Sequence, residues 1–108
     1  MIFKRENCKT KYSYVLDQWL ERKKNEIKFS SYMRYDFLIK NHVSYKLGNI
    51  DSKKINKDVI NNFFKSKEIV NLSDSSKKLL LIIIKSSINF AVENKMMKKK
   101  IVIDVKLT

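Results

Sequence analysis

Proline is absent from this chain of 108 residues, and glycine occurs once, at Gly48. Tight hairpins and the corners of β-sandwiches draw on these two residues for positive φ and for fixed bends. Their scarcity argues against such folds and leaves long helices as the default. Cysteine also occurs once, at Cys8, so no internal disulfide can form, and the chain reads as cytoplasmic. With a single histidine, His42, beside that one cysteine, the ligand set of a zinc site is missing, and no metal or other cofactor is expected. Long apolar runs are missing too. The longest, Leu79 to Ile84, falls far short of the roughly 20 residues that cross a bilayer, and the opening "MIFKRENCKTKY" has no signal-peptide core. Finally, acids are scarce: 11 Asp+Glu stand against 24 Lys+Arg, for a formal net charge of +13.

That charge excess implies a polyanionic partner, either nucleic acid or an anionic membrane surface. Only Arg5, Arg22 and Arg34 are arginines, a bias that AT-rich coding would explain. Coding bias does not explain the shortage of acids. Hydrophobic residues make up 44% of the chain, with six Phe, five Tyr and one Trp, which is enough for a packed core, so the high charge does not signal disorder. The length suits one domain.

Apolar spacing predicts four main helices. Tyr12, Val15, Leu16, Trp19 and Leu20 make a stripe on a first helix that runs to about Asn25. Ser30 or Ser31 is the expected N-cap of a second helix that ends near Lys46, with Tyr35, Leu38, Ile39, His42 and Val43 on one face. Gly48, just past that end, is expected to take the left-handed conformation that closes a helix. After a connector anchored by Ile50 and Ile55, Asn56 caps a third helix whose stripe is Val59, Ile60, Phe63 and Phe64. "KSKEIVNLS" reads as a break. Ser73 then caps a fourth helix, about Asp74 to Asn94, with Leu80, Ile83, Ile84, Ser87, Ile88 and Ala91 inward and Leu81 and Ile82 widening its apolar surface. "IVIDVKL" in the tail alternates like a strand without a partner in this chain. His42 is expected to pack or to bond a backbone group, and Cys8 to be an idle thiol.

The punctuation of these helices resembles the core-binding domain of tyrosine recombinases, the phage and transposon integrases. The likeness runs from about Tyr12 to Ile101: "DQWLERKK", then "IKFSSYMRYDFLIKNHV" and "KLGNI", then "KINKDVINNFF", then "NLSDSSKKLL" to "SINFAVEN". Three positions depart from the family's pattern. The family's proline before Leu-Gly is replaced within "SYK", its glycine after Glu-Asn is Lys95, and its closing Asn-Pro is Lys100–Ile101. The resemblance implies an all-α, SAM-like orthogonal bundle of four main helices, with residues 1–11 as a flexible lead-in, 12–100 as the core-binding domain and 101–108 as the start of a linker. It further implies binding of double-stranded DNA at a core-type recombination site, in a protein that is bacterial or phage-encoded and nucleoid-associated. The family's catalytic set of arginines, lysine, histidines and tyrosine is not present, since no arginine stands two residues after His42. This chain is therefore expected to be a monomeric, non-catalytic fragment whose other partner is the catalytic domain of the same parent.

Two helix starts combine hydroxyls with cations, as phosphate binding requires: Ser30, Ser31 and Arg34 at one, Ser75, Ser76, Lys77 and Lys78 at the other. In the family the second and fourth helices meet the DNA groove, which adds Lys85 further along the fourth helix and Lys98 and Lys99 in the lysine run before the linker. Capping alone also accounts for the serines, and a solvated tail for the lysine run. Three rival functions remain. A stand-alone helical DNA-binding regulator needs a short helix-turn-helix, and none is evident. A helical protein–protein adaptor needs an exposed apolar patch. A membrane-surface domain needs bulky apolar residues left outside the core, and the stripes are expected to be consumed by it.

Overall fold

The structure, a computed structural model, describes residues 11–97. Cys8 and the rest of residues 1–10, the run Lys98–Lys99–Lys100 and the 101–108 tail lie outside the described residues. Helix α1 (Tyr12–Lys23) is followed by α2 (Phe29–Leu38), which continues through a π-helical turn (Ile39–Val43) into α3 (Ser44–Leu47). A 3-10 turn (Ser52–Lys54) leads to α4 (Lys57–Lys65), the short α5 (Lys67–Val70) and the long α6 (Asp74–Glu93). Among the described residues there is no strand, only an isolated antiparallel bridge between Lys11 and Asp51. The expected all-α fold with four main helices is what the chain forms.

The stripes explain the packing. On α6 the buried residues are Leu80, Ile83, Ile84, Ser87, Ile88 and Ala91, and on α1 they are Tyr12, Val15, Leu16, Trp19 and Leu20. Each fully buried aliphatic side chain contributes about 1.5–3 kcal/mol, and four such residues make α6 one wall of the core. Between α1 and α6, the Tyr12 hydroxyl meets the Ser87 hydroxyl at 2.6 Å, with both residues fully buried. Ser87 in turn donates to the Ile84 carbonyl at 2.9 Å, so the Tyr12 hydroxyl is the donor to Ser87. Trp19 is 2% exposed and stacks on Tyr35 of α2, centroids 5.7 Å apart and planes 18° apart. Within α2 only Leu38 is fully buried. The π turn then buries Ile39 and Val43 and α3 buries Leu47. The helix is thus held at its C-terminal half, and its first two turns stand at the surface.

Asn56 accepts from the Val59 amide at 2.9 Å, and Ser73 from the Ser76 amide at 3.3 Å, as the two caps were expected to do. Several expectations need correction. Helix α2 begins two or three residues early, at Phe29, because the Lys28 carbonyl already accepts from the Tyr32 amide at 2.9 Å. Ser30 and Ser31 therefore sit inside the first turn and cap nothing. "KSKEIVNLS" is not a plain break: α5 forms there and buries Ile69 completely. On α6, Ile82 is 50% exposed, since it lies opposite the buried stripe.

Gly48 is right-handed, with φ −61° and ψ −32°. Its role is close approach, not handedness. A Cβ at this position would stand 2.4 Å from the Ser44 carbonyl oxygen. The Gly48 carbonyl accepts from the Ser13 amide at 3.0 Å, and the Ile50 carbonyl from the Tyr12 amide at 2.9 Å. The segment after α3 thereby satisfies the free amides at the start of α1, which has no side-chain cap. Lys11, given to the lead-in from sequence, joins the same arrangement by donating its ammonium to the Asn49 carbonyl at 3.0 Å. The left-handed residue is Lys95 instead, at φ 62°. Met96 donates to the Ala91 carbonyl at 2.7 Å and Lys95 to that of Val92 at 3.1 Å, which closes α6 with a Schellman motif.

Candidate nucleic-acid interface

A hydrogen bond between residues far apart in sequence links the start of α6 to the first turns of α2. The Arg34 guanidinium, from Nη2, donates to the Ser76 hydroxyl at 3.2 Å. The Ser73 hydroxyl also donates to Ser76 Oγ, at 3.1 Å, while accepting the Ser76 amide. A hydroxyl has two acceptor positions and one proton. Both acceptor positions of Ser76 are filled, so its proton is left to donate. Arg34 is exposed and keeps most of its five N–H groups for another acceptor. Ser75 is exposed beside Ser73, hydroxyls 3.4 Å apart. A helix N-terminus adds the positive end of its dipole. One carboxylate, Asp74, opposes it at the same end. The arrangement suits a phosphate: an aimed hydroxyl, a fork of guanidinium donors and a helix end.

Not all the sequence-predicted residues join this group. Ser30 is exposed and Ser31 half-buried on the first turn of α2, with no side-chain hydrogen bond to the cluster. Lys77 follows Ser76 by one residue, about 100° around the helix, and is half-buried. Lys78 and Lys85 are exposed and share the outer face of α6, two turns apart. Lys98 and Lys99 lie outside the described residues.

Sequence reasoning missed an apolar stripe. Phe29, Met33 and Phe37 are strongly exposed on the outside of α2, not consumed by the core. Their four-residue spacing was the available signal, but aromatics at helical spacing are read as core by default. His42 packs, as expected, but its Nδ1 makes no backbone hydrogen bond. Its Nδ1 is buried with no hydrogen-bond partner, 3.9 Å from a Glu68 oxygen whose carboxylate pairs with Lys46 at 3.1 Å. The π turn points it at α5, where Glu68 stands, and not at a backbone carbonyl. Among the described residues, no three His, Cys, Asp or Glu side chains gather where they could hold a metal ion, and no helix is long and apolar enough to cross a membrane.

Comparison with family models matches residues 11–68 to the phage integrase, N-terminal SAM-like domain. The chain belongs to this family. The matched span runs from the Lys11 bridge through α4 into α5, so it includes the whole of α2 and Arg34. No curated protein and no solved structure gives a match. Membership gives the integrase domain a role in integrase-type recombination, in the N-terminal, non-catalytic part of the family's architecture. DNA and a catalytic domain are the partners that such a domain implies in general.

Proposed function

We propose that this integrase domain binds double-stranded DNA at a core-type recombination site, as the core-binding domain of a tyrosine recombinase. It clamps one face of the duplex while the catalytic domain of the parent chain, reached through the 101–108 linker, acts from the other. The observation that carries this reading is the Arg34–Ser76 hydrogen bond, which joins an exposed guanidinium of α2 to the N-terminus of α6. The chemistry at that surface is positioning. Ser76, Arg34 and the α6 amides hold a phosphate, while Ser75, Lys78 and Lys85 extend the contact along the backbone. Ser30, Ser31 and Lys77 flank it, and Lys98 and Lys99 follow the strand toward the linker.

NMR titration of the isolated domain with a short duplex tests this. Amide shifts are expected to concentrate at residues 30–35 and 73–78. Shifts led by residues 51–57, with those two helix starts silent, would place the DNA on the wrong face. The exposed stripe of α2 is the one observation that favours a second reading, a surface for a protein partner.

A further inference from the structure

Phe29, Met33 and Phe37 are 75%, 47% and 60% exposed. At about 100° per residue they lie within roughly 80° of one another, on the side of α2 away from Tyr35 and Leu38. Single exposed apolar residues are ordinary, but three on successive turns of one helix mark a contact surface. Lys28, Arg34 and Lys40 are exposed along the same helix and its continuation. The one acid of that stretch, Asp36, is paired with Lys40 at 3.2 Å, and on that flank Asp17 and Glu21 of α1 line a groove with both. A second copy of a chain with a net charge of +13 is repelled from such a face.

We propose that this stripe reads thymine methyl groups in the DNA major groove. The proposal rests on the DNA-binding reading above and names what that surface recognises. The major groove admits one α-helix, and the thymine C5-methyl is the apolar group on its floor. Four residues of helix advance about 6 Å, close to two base steps of about 3.4 Å each. Successive side chains of the stripe therefore meet every second base pair. Arg34, next to Met33 in sequence and tied to Ser76, sets the depth of the helix by holding the phosphate at the groove edge.

Replacing thymine with uracil removes the methyl and leaves every hydrogen-bonding group in place. The test measures binding, by fluorescence anisotropy, to an alternating adenine–thymine duplex and to the same duplex with uracil for thymine. The wild-type domain is expected to lose roughly fourfold in affinity for each methyl contacted. The variant Phe29→Ser/Met33→Ser/Phe37→Ser is expected to bind the two duplexes alike, with its helical circular dichroism unchanged. Equal binding of both duplexes by the wild type overturns the proposal and leaves the stripe to a protein partner, with DNA binding itself intact. A thymine preference that survives in the triple variant overturns it as well, since duplex shape is then its source. Binding to neither duplex overturns the DNA-binding reading and this inference with it. The wild-type comparison needs no variant and stands even if the triple variant does not fold.

Discussion

Tyr12 is a single side chain on which two helices depend. It is fully buried in α1 and its hydroxyl reaches Ser87 in α6. Burial raises the phenol's pKa above the usual value of about 10. The sign follows from which state holds the proton longer. Below about pH 10 both states are protonated and Tyr12 contributes fully; above it the unfolded chain loses the proton first, and stability falls. Tyr12→Phe removes this dependence. Urea unfolding is expected to show a shallower alkaline decline for the variant above about pH 10, and a loss of about 1 kcal/mol at neutral pH from the missing hydrogen bond. Identical slopes would mean the phenol is not the group responsible. Lys95 supplies a second residue-scale test. A left-handed conformation costs an L-residue roughly 1–2 kcal/mol, and glycine gives back part of that through its freer unfolded state. Lys95→Gly is therefore expected to raise thermal stability by about 0.5–1 kcal/mol, and a lower melting temperature would contradict the Schellman closure.

Elements were legible where apolar spacing marked out the buried face of a helix. The stripes of α1 and α6 and the Asn56 and Ser73 caps follow from spacing, because burial and capping there are local properties of the chain. The start of α2 was not legible, since a backbone bond from Lys28 set it and no side chain announced it. Gly48 was misread for a related reason. Its constraint comes from the Ser44 carbonyl and from the start of α1, a partner 35 positions back, and local pattern does not contain such contacts. The candidate site divides the same way. Both groupings of hydroxyls with cations were visible, but the one bond that joins them, from Arg34 to Ser76, spans 42 residues and needs the fold. Trp19 tests how firmly α1 and α2 are joined, because it stacks on Tyr35 at the half of α2 that is anchored. Trp19→Ala is expected to destabilise by about 3–5 kcal/mol if the site does not collapse. Chemical denaturation measures this, and a loss below about 1 kcal/mol would show that the stack holds nothing.

For the whole molecule, the question is whether +13 acts as a diffuse field or as a face. A diffuse field would attract DNA to any surface, and every exposed lysine would matter alike. A face concentrates the effect where cations, hydroxyls and a helix end converge, which here is the junction of α2 with α6. Neutralising about five phosphates gives a slope of log affinity against log salt of about −4 to −5 under either arrangement, so the slope alone does not separate them. Mutations do. Arg34→Ala is expected to weaken duplex binding by about 1 kcal/mol or more, and Lys78→Ala to reduce the salt slope by about one phosphate. Lys53 and Lys54 are the controls, because they are equally exposed on the 3-10 turn Ser52–Lys54 and belong to neither helix start. Their alanine variants are expected to change affinity by only a few tenths of a kcal/mol, the residue of a screened long-range field. Filter binding across a salt series measures all four variants. If Lys53→Ala and Lys54→Ala weaken binding as much as Arg34→Ala does, the charge acts as a field, and the hydrogen-bonded junction of α2 and α6 is structural only.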